Sequence, residues 1–251
     1  MTPTSFRILR SRVDRLTFSQ TLQRIRDFIV SGTPHHVVTA NTLMLLEAER
    51  DSELKELLEN ASLVVPESWG LSWASRRIGQ PLDQFIPGID LLEALCRLSA
   101  EASHGIFLLG AKPGVVERAA ESLKSQYPAL RVVGMRHGYF SKTEEPEVIA
   151  QIRQARPTFL FVGMSVPSQE KWIRRHLSAL QVPVAMGVGG SFDVLSGQLK
   201  RAPPWMRRLG IEWVFRTLQE PWRLTRIKGL PVFMWHVLQE NRNAKRKTWN
   251  E

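Results

Sequence analysis

The chain has 251 residues, 43% of them apolar, and a formal net charge of +10; that length buries one full core with at most a small appendage and excludes a disordered chain. Its one cysteine, Cys96, excludes an internal disulfide and any Cys-x-x-Cys or zinc pattern, which suits a reducing cytosol. No signal-peptide apolar region is expected at the N-terminus, and the longest apolar candidate, Leu230-Pro231-Val232-Phe233-Met234-Trp235, falls far short of the roughly 20 residues needed to span a bilayer.

Two short edge strands are expected over residues 5–10 and 13–16, then a helix over 19–30. A strand over 36–40 leads into one helix over 42–60, whose apolar residues fall at 43, 45, 46, 54, 57 and 58. A strand over 63–66 and helices over 69–78 and 90–103 follow. Cys96 lies in the apolar stripe of the second of these, where a thiol reads as a small core hydrophobe. Next come a buried strand over 105–110, a helix over 113–126 with Pro in its first turn, a strand over 130–134 and a helix over 145–155. Phe159-Leu160-Phe161-Val162 and Val182-Pro183-Val184-Ala185-Met186 are the last two strands. Strands alternating with helices of this length predict an α/β fold whose parallel sheet is covered on both faces. The alternation ends near residue 197, giving a core over 1–196 and an appendage over 197–251.

The appendage is chemically distinct. It holds twelve Lys and Arg against four Glu, a net +8, which leaves +2 for the first 196 residues. Five of the eight tryptophans are also there: Trp205, Trp213, Trp222, Trp235 and Trp249. Basic residues interleaved with Trp suit an anionic membrane surface, where indoles sit among headgroups and cations meet lipid phosphate. The same composition suits single-stranded nucleic acid, or a solvated helical face over core tryptophans. The run 242–247 reads as a frayed basic tail.

Four strand ends carry candidate chemistry. In Val38-Thr39-Ala40-Asn41 a hydroxyl and an amide stand where a sugar could be hydrogen-bonded, while the simpler reading has Asn41 or Thr42 capping the next helix. Glu67, in Val65-Pro66-Glu67-Ser68-Trp69-Gly70, follows a buried strand beside an apolar wall, which suits either a general base of raised pKa or a cap on the following helix. Gly163 opens the turn toward Pro167-Ser168-Gln169-Glu170-Lys171-Trp172, in which Gln169 can serve a sugar or phosphate and Glu170 complements the helix dipole. Gly187-Val188-Gly189-Gly190-Ser191-Phe192-Asp193 is a better phosphate turn than Gly110-Ala111-Lys112-Pro113-Gly114. Neither is a dinucleotide fingerprint or a P-loop. His137 reads as a turn residue, and His35, His36, His104, His176 and His236 have no ligand spacing.

Taken together, these stretches resemble the bacterial WecG/TagA/CpsF glycosyltransferase family over about residues 7–228. Further matches are Gly88-Ile89-Asp90-Leu91-Leu92, Phe107-Leu108-Leu109-Gly110, Tyr127-Pro128, His137-Gly138-Tyr139-Phe140, Lys200-Arg201-Ala202-Pro203, and Glu212-Trp213-Val214-Phe215-Arg216 through Glu220-Pro221-Trp222-Arg223-Leu224. The resemblance implies a Rossmann-like α/β enzyme with a basic helical C-terminal appendage. It would transfer a hexose of N-acetylmannosamine type, with inversion and without metal or other cofactor, from a UDP-sugar to a polyprenyl-diphosphate-linked glycan in cell-envelope or exopolysaccharide synthesis. It further implies work at an anionic membrane surface on the cytoplasmic face, no nucleic-acid partner, and self-association through the core. A catalytically silent member that binds UDP-sugar or lipid diphosphate is the alternative. The chain has no Asp-x-Asp with which to hold a divalent cation.

By resemblance, Thr39 and Asn41 match a sugar-contacting pair, Gln169 an active-site glutamine, and Glu67 the catalytic carboxylate. Gly110, Gly163, Gly189, Gly190 and Asp193 fall on the nucleotide side. Arg201, Arg208, Arg216, Arg223 and Arg226 belong to the diphosphate- and membrane-facing set. At about 100° per residue, 216, 223 and 226 share one face of a continuous helix, which Pro221 would kink. Two residues depart from the family pattern. Glu67 stands where Asp is usual, and Phe85 where Arg is frequent, which points to an altered substrate rather than lost catalysis.

Overall fold

The computed structural model describes residues 5–248, without the side chains of Arg226 and residues 243–248. The chain opens with strands β1 (Ser5–Ile8) and β2 (Ser11–Asp14) and helix α1 (Phe18–Ser31). It continues through β3 (His35–Ala40), α2 (Thr42–Ala48), α3 (Ser52–Asn60), β4 (Leu63–Pro66), α4 (Trp69–Arg77) and α5 (Gly88–Glu101). Next come β5 (Gly105–Gly110), α6 (Val115–Gln126), β6 (Arg131–Arg136), α7 (Glu145–Ala155), β7 (Phe159–Gly163), α8 (Ser168–Leu180), β8 (Val184–Gly187) and α9 (Ser191–Leu195). The appendage comprises α10 (Pro204–Arg208), α11 (Glu212–Gln219), a 3-10 turn (Pro221–Arg223), α12 (Leu224–Ile227) and α13 (Gly229–Thr248).

The main sheet has six parallel strands in the order β4-β3-β8-β7-β5-β6, a Rossmann-like arrangement. Its central strands are buried throughout, which is why β5 and β7 read as unbroken apolar runs rather than alternating ones. Side-chain alternation then sends Val37, Ile106, Leu108, Phe159, Phe161 and Met186 to one face, against α1, α5, α6 and α9. Val38, Ala40 and Val64 face α2, α3, α4 and α13, while Leu109, Leu160, Val162 and Ala185 face α7 and α8. Cys96 is fully buried in the first of these clusters, as its stripe implied.

Several local expectations are corrected. The first two strands are not edges of the main sheet but an antiparallel hairpin of their own. The expected helix over 42–60 is two, because the Asp51 carboxylate accepts from the Leu54 N–H and restarts the chain as α3. Pro113 precedes α6 rather than entering it, since Gly114 adopts φ 79° as the cap. The helix through Pro221 is interrupted rather than kinked, because α11 ends at Gln219 before the proline. Residues 242–247, read as frayed, continue α13.

Candidate active site

Neighbouring strands whose following helices leave to opposite faces open a crevice at their carboxyl ends. Two of the places where that happens here are β3–β8 and β5–β7. After β3 the chain turns to the face holding α2, and after β8 to the face holding α9. Likewise α6 follows β5 on one face and α8 follows β7 on the other. The motifs at residues 39–41, 67, 110, 163 and 187–193 therefore gather along one sheet edge.

At the β3–β8 crevice the Thr39 hydroxyl donates to the Gly187 carbonyl at 3.3 Å, so the strand carrying Thr39 is tied to the start of the glycine turn. Glu67, at the end of neighbouring β4, accepts the Gly88 N–H on Oε1 at 3.1 Å. Gly88 begins α5 and lies between the two side chains: a Cβ there would come within 3.2 Å of the Thr39 hydroxyl and 3.0 Å of Glu67 Oε1. Burial raises the Glu67 pKa above the ordinary carboxylate value, against the opposing pull of the Gly88 N–H, Arg216 and the Asn41 amide. Asn41 satisfies both of its readings. Its Oδ1 caps α2 by accepting from the Leu43 and Met44 N–H groups at 3.1 Å each, and its amide still reaches Glu67.

Gln169 points inward. It is 2% exposed, and its Oε1 accepts from the Met164 N–H at 3.2 Å and the Gly189 N–H at 3.0 Å. Its Nε2 donates to Glu170 Oε1 at 2.6 Å. This corrects the picture of a glutamine free to grip a sugar, because its acceptor is spent on the β7 and β8 turns. Glu170 does lie in the first turn of α8, where a carboxylate complements the dipole, and its side chain is wholly buried. Gly187 must lack a side chain because a Cβ would come within 2.8 Å of Glu170 Oε1.

The glycine turn is less open to an anion than its sequence suggests. Its N–H groups at Val188, Gly189 and Ser191 donate to the Val162 carbonyl, Gln169 Oε1 and the Val188 carbonyl. Positive charge reaches the turn through side chains instead. Arg216 Nη2 donates to the Gly190 carbonyl at 3.0 Å, and a Cβ on Gly190 would lie 3.3 Å from that nitrogen, 3.3 Å from Asp193 Oδ2 and 3.8 Å from Arg223 Nη2. Burial raises the Asp193 pKa, Glu220 adds to that, and Arg216, Arg223 and Lys112 oppose it. Burial lowers the Arg216 pKa, Arg223 adding to it, while Glu212, Glu220 and Glu67 pull the other way. Arg216 thus acts on the Glu67 carboxylate at the end of β4 while bonded to the turn after β8, two strands away.

Lys112 was not singled out in the sequence, although it stands in the weaker glycine turn; its distance in sequence from Asp193 concealed that its charge acts on that carboxyl. Gly110 adopts φ 135° and packs against the Gly163 backbone, where any side chain would collide, so the β5 and β7 turns are pressed together. The Ala111 N–H then bonds the Gly163 carbonyl and the Gly138 N–H bonds the Ala111 carbonyl. His137 is structural, its Nδ1 accepting from the Tyr139 N–H at 3.3 Å.

Of the remaining arginines, Arg223 converges on Gly190 although it shares no helix with Arg216, and its Nε is bonded to Glu220 Oε2 at 2.5 Å. Arg201 is ion-paired with Asp90 and Glu93 on α5, so its charge is already met beside the site. Arg208 is exposed at the end of α10. The Arg226 side chain lies outside the described residues. Phe85 is half-exposed, one residue from Ile86, whose N–H bonds the Pro66 carbonyl beside Glu67. A recess lined by Arg153, Arg156, Thr158 and Gln181 lies at the amino ends of β7 and β8, the opposite edge.

A carboxylate after β4, a hydroxyl and an amide at the end of β3 and an arginine-bonded glycine turn after β8 thus lie together along one sheet edge. Residues 6–247 match the glycosyl transferase WecG/TagA/CpsF family. The chain is 36% identical over 241 residues to an N-acetylglucosaminyldiphosphoundecaprenol N-acetyl-beta-D-mannosaminyltransferase of Staphylococcus aureus strain MW2, covering 95% of this chain and 94% of that protein. It is 35% identical over the same span to the protein of that name in strain MRSA252, again with 95% and 94% covered. The protein belongs to the WecG/TagA/CpsF glycosyltransferase family.

Proposed function

We propose that this glycosyltransferase moves an N-acetylmannosamine-type hexose from a UDP-sugar to a sugar linked to polyprenyl diphosphate, inverting the anomeric centre without a metal. The observation that carries the reading is Arg216, which is bonded to the Gly190 carbonyl of the glycine turn and also acts electrostatically on Glu67. A displacement needs a base at the attacking oxygen and positive charge at the departing diphosphate, on opposite sides of one carbon. Glu67 removes the acceptor hydroxyl proton. The freed oxygen forms its bond to the anomeric carbon as the carbon–oxygen bond to UDP breaks, and the pair of electrons leaves with the diphosphate. Thr39 and Asn41, beside the carboxylate, orient the donor sugar, and Gln169 contributes through the turn it holds. Arg216, Arg223 and Lys112 offset charge on the diphosphate.

The acceptor class follows from the relatives' names and is supported by the appendage. Trp205, Leu209, Leu218, Trp222, Leu224 and Trp235 are each more than half exposed, on a segment rich in Lys and Arg. Such a surface suits the headgroup level of an anionic membrane, where a polyprenyl-linked substrate resides. Among the described residues no helix is long and apolar enough to cross a membrane; the attachment proposed is peripheral, on the cytoplasmic face.

The test is transfer assayed on purified protein, with a panel of UDP-sugars, a short-chain polyprenyl-diphosphate-linked N-acetylglucosamine and a chelator present throughout. Formation of a disaccharide of inverted linkage with UDP release is expected. Loss of turnover on chelation would overturn metal independence, and UDP binding without consumption of any donor would favour the catalytically silent alternative.

A further inference from the structure

Glu170 is a carboxylate that the proposed chemistry does not use, yet it is 0% exposed at the centre of the site. One oxygen, Oε1, accepts from Gln169 Nε2 at 2.6 Å, while the other, Oε2, is buried without a hydrogen-bond partner. An orphaned carboxylate oxygen in the interior is costly, so its position calls for a reason.

The reason lies in the symmetry of a glutamine side chain. An amide can be turned by half a rotation at almost no cost in shape, exchanging its donor and its acceptor. Gln169 needs its oxygen toward the Met164 and Gly189 N–H groups, both donors. The reversed amide would set N–H against N–H at both turns. Glu170 Oε1, an acceptor with no proton of its own, rewards only the first orientation. Burial raises the Glu170 pKa to about 7, with Glu67 adding to the rise, but a proton taken by Oε2 leaves Oε1 still accepting.

We propose that Glu170 is a positioning residue for transfer: it fixes the amide of Gln169, which in turn pins the β7 turn at Met164 to the β8 turn at Gly189. The shape so held presents the Gly190 carbonyl to Arg216 and keeps Asp193 beside Arg216 and Arg223. The consequence for donor binding rests on the proposed UDP-sugar reading; the pinning itself does not.

Two measurements separate them. In the unaltered protein, the side-chain amide protons of Gln169, followed by nitrogen-15 NMR, should exchange at least about 100-fold more slowly than those of exposed glutamines. Fast exchange would overturn the pinning whether or not UDP binds. For donor use, Glu170→Met removes the acceptor and should raise the KM for the UDP-sugar about tenfold or more, with a smaller fall in kcat. Glu170→Gln keeps an oxygen in place and should recover KM to within about threefold of the parent. Glu170→Asp keeps the charge but withdraws the acceptor by a methylene, so it should perform worse than Glu170→Gln even where Glu170→Met fails to fold. Aspartate outperforming glutamine, or an unchanged KM in Glu170→Met, would sink the proposal. Protected Gln169 protons in a protein that ignores every UDP-sugar would leave the pinning standing and remove the donor reading instead.

Discussion

Thr39 and Gln169 are 4% and 2% exposed and are tied to backbone groups of neighbouring strands, whereas α11, which carries Arg216, has no buried residue and its Leu218 is 75% exposed. The sheet edge holds its side chains by hydrogen bonds that water cannot reach. The arginine segment is held by charge and by a few polar contacts at its ends, such as Gln219 with the Lys200 backbone. A group that must stay within a fraction of an ångström of a reacting carbon belongs on the first kind of support. A group that must move to admit a substrate belongs on the second. The appendage itself is divided, for α13 buries Phe233 and Val237 in the core and is fastened by His236 to Glu49 and by Glu240 to the Leu9 N–H.

The contrast can be broken most strongly at α13. Phe233→Ala empties a fully buried site and should cost about 3–5 kcal/mol in denaturant unfolding; a loss under about 1 kcal/mol would show that α13 is not part of the core. Glu67→Gln tests the rigid edge, and turnover should fall by a factor on the order of 100 or more with UDP affinity near normal. Unchanged turnover would remove Glu67 from the role of base.

A third variant sharpens the electrostatics. A carboxyl whose folded pKa is raised binds more protons in the native state than in the unfolded chain across the interval between its two pKa values. Its contribution to stability is therefore full below the unfolded value and declines as pH rises toward the folded one, here about 7. Glu170→Gln abolishes that decline. The variant should be more stable than the parent at pH 8, by on the order of 1–3 kcal/mol, and the gap should close toward pH 4. A gap independent of pH would mean that the fold leaves this carboxyl's pKa where the unfolded chain has it. The smallest effect is expected at Leu218→Ser, which should shift stability by less than about 0.5 kcal/mol while weakening binding to anionic vesicles. Undiminished vesicle binding would separate α11 from the lipid-facing surface.

Much of the site was legible before any coordinates. Glu67 follows an apolar strand, and the turn at 187–193 follows another, so the parallel α/β pattern alone places both at carboxyl ends of strands. Asn41 could be read as a cap from its place between strand and helix. Other features were hidden for identifiable reasons. Asp51 looked like one more polar residue in an amphipathic run, because a cap is recognised by backbone geometry and not by periodicity. The burial of Gln169 and Glu170 was not legible, because it comes from the β7 and β8 turns that the glutamine joins. Arg216 and Arg223 were expected to converge along one helix, and they converge across a break instead.

Periodicity, apolar runs and the chemistry of turn residues are local properties, so they were enough to determine that this chain forms a parallel α/β core with its polar motifs at strand ends and its charge in the last quarter. The order of the strands and the insertion of β8 between β3 and β7 depend on contacts between residues distant in sequence, up to 148 positions for Thr39 and Gly187. Thr39 and Gly187 meet only because β3 and β8 lie side by side. Desolvation, which sets the ionisation of Glu67 and Glu170, depends on everything packed around them, and so it was decided by the tertiary structure alone.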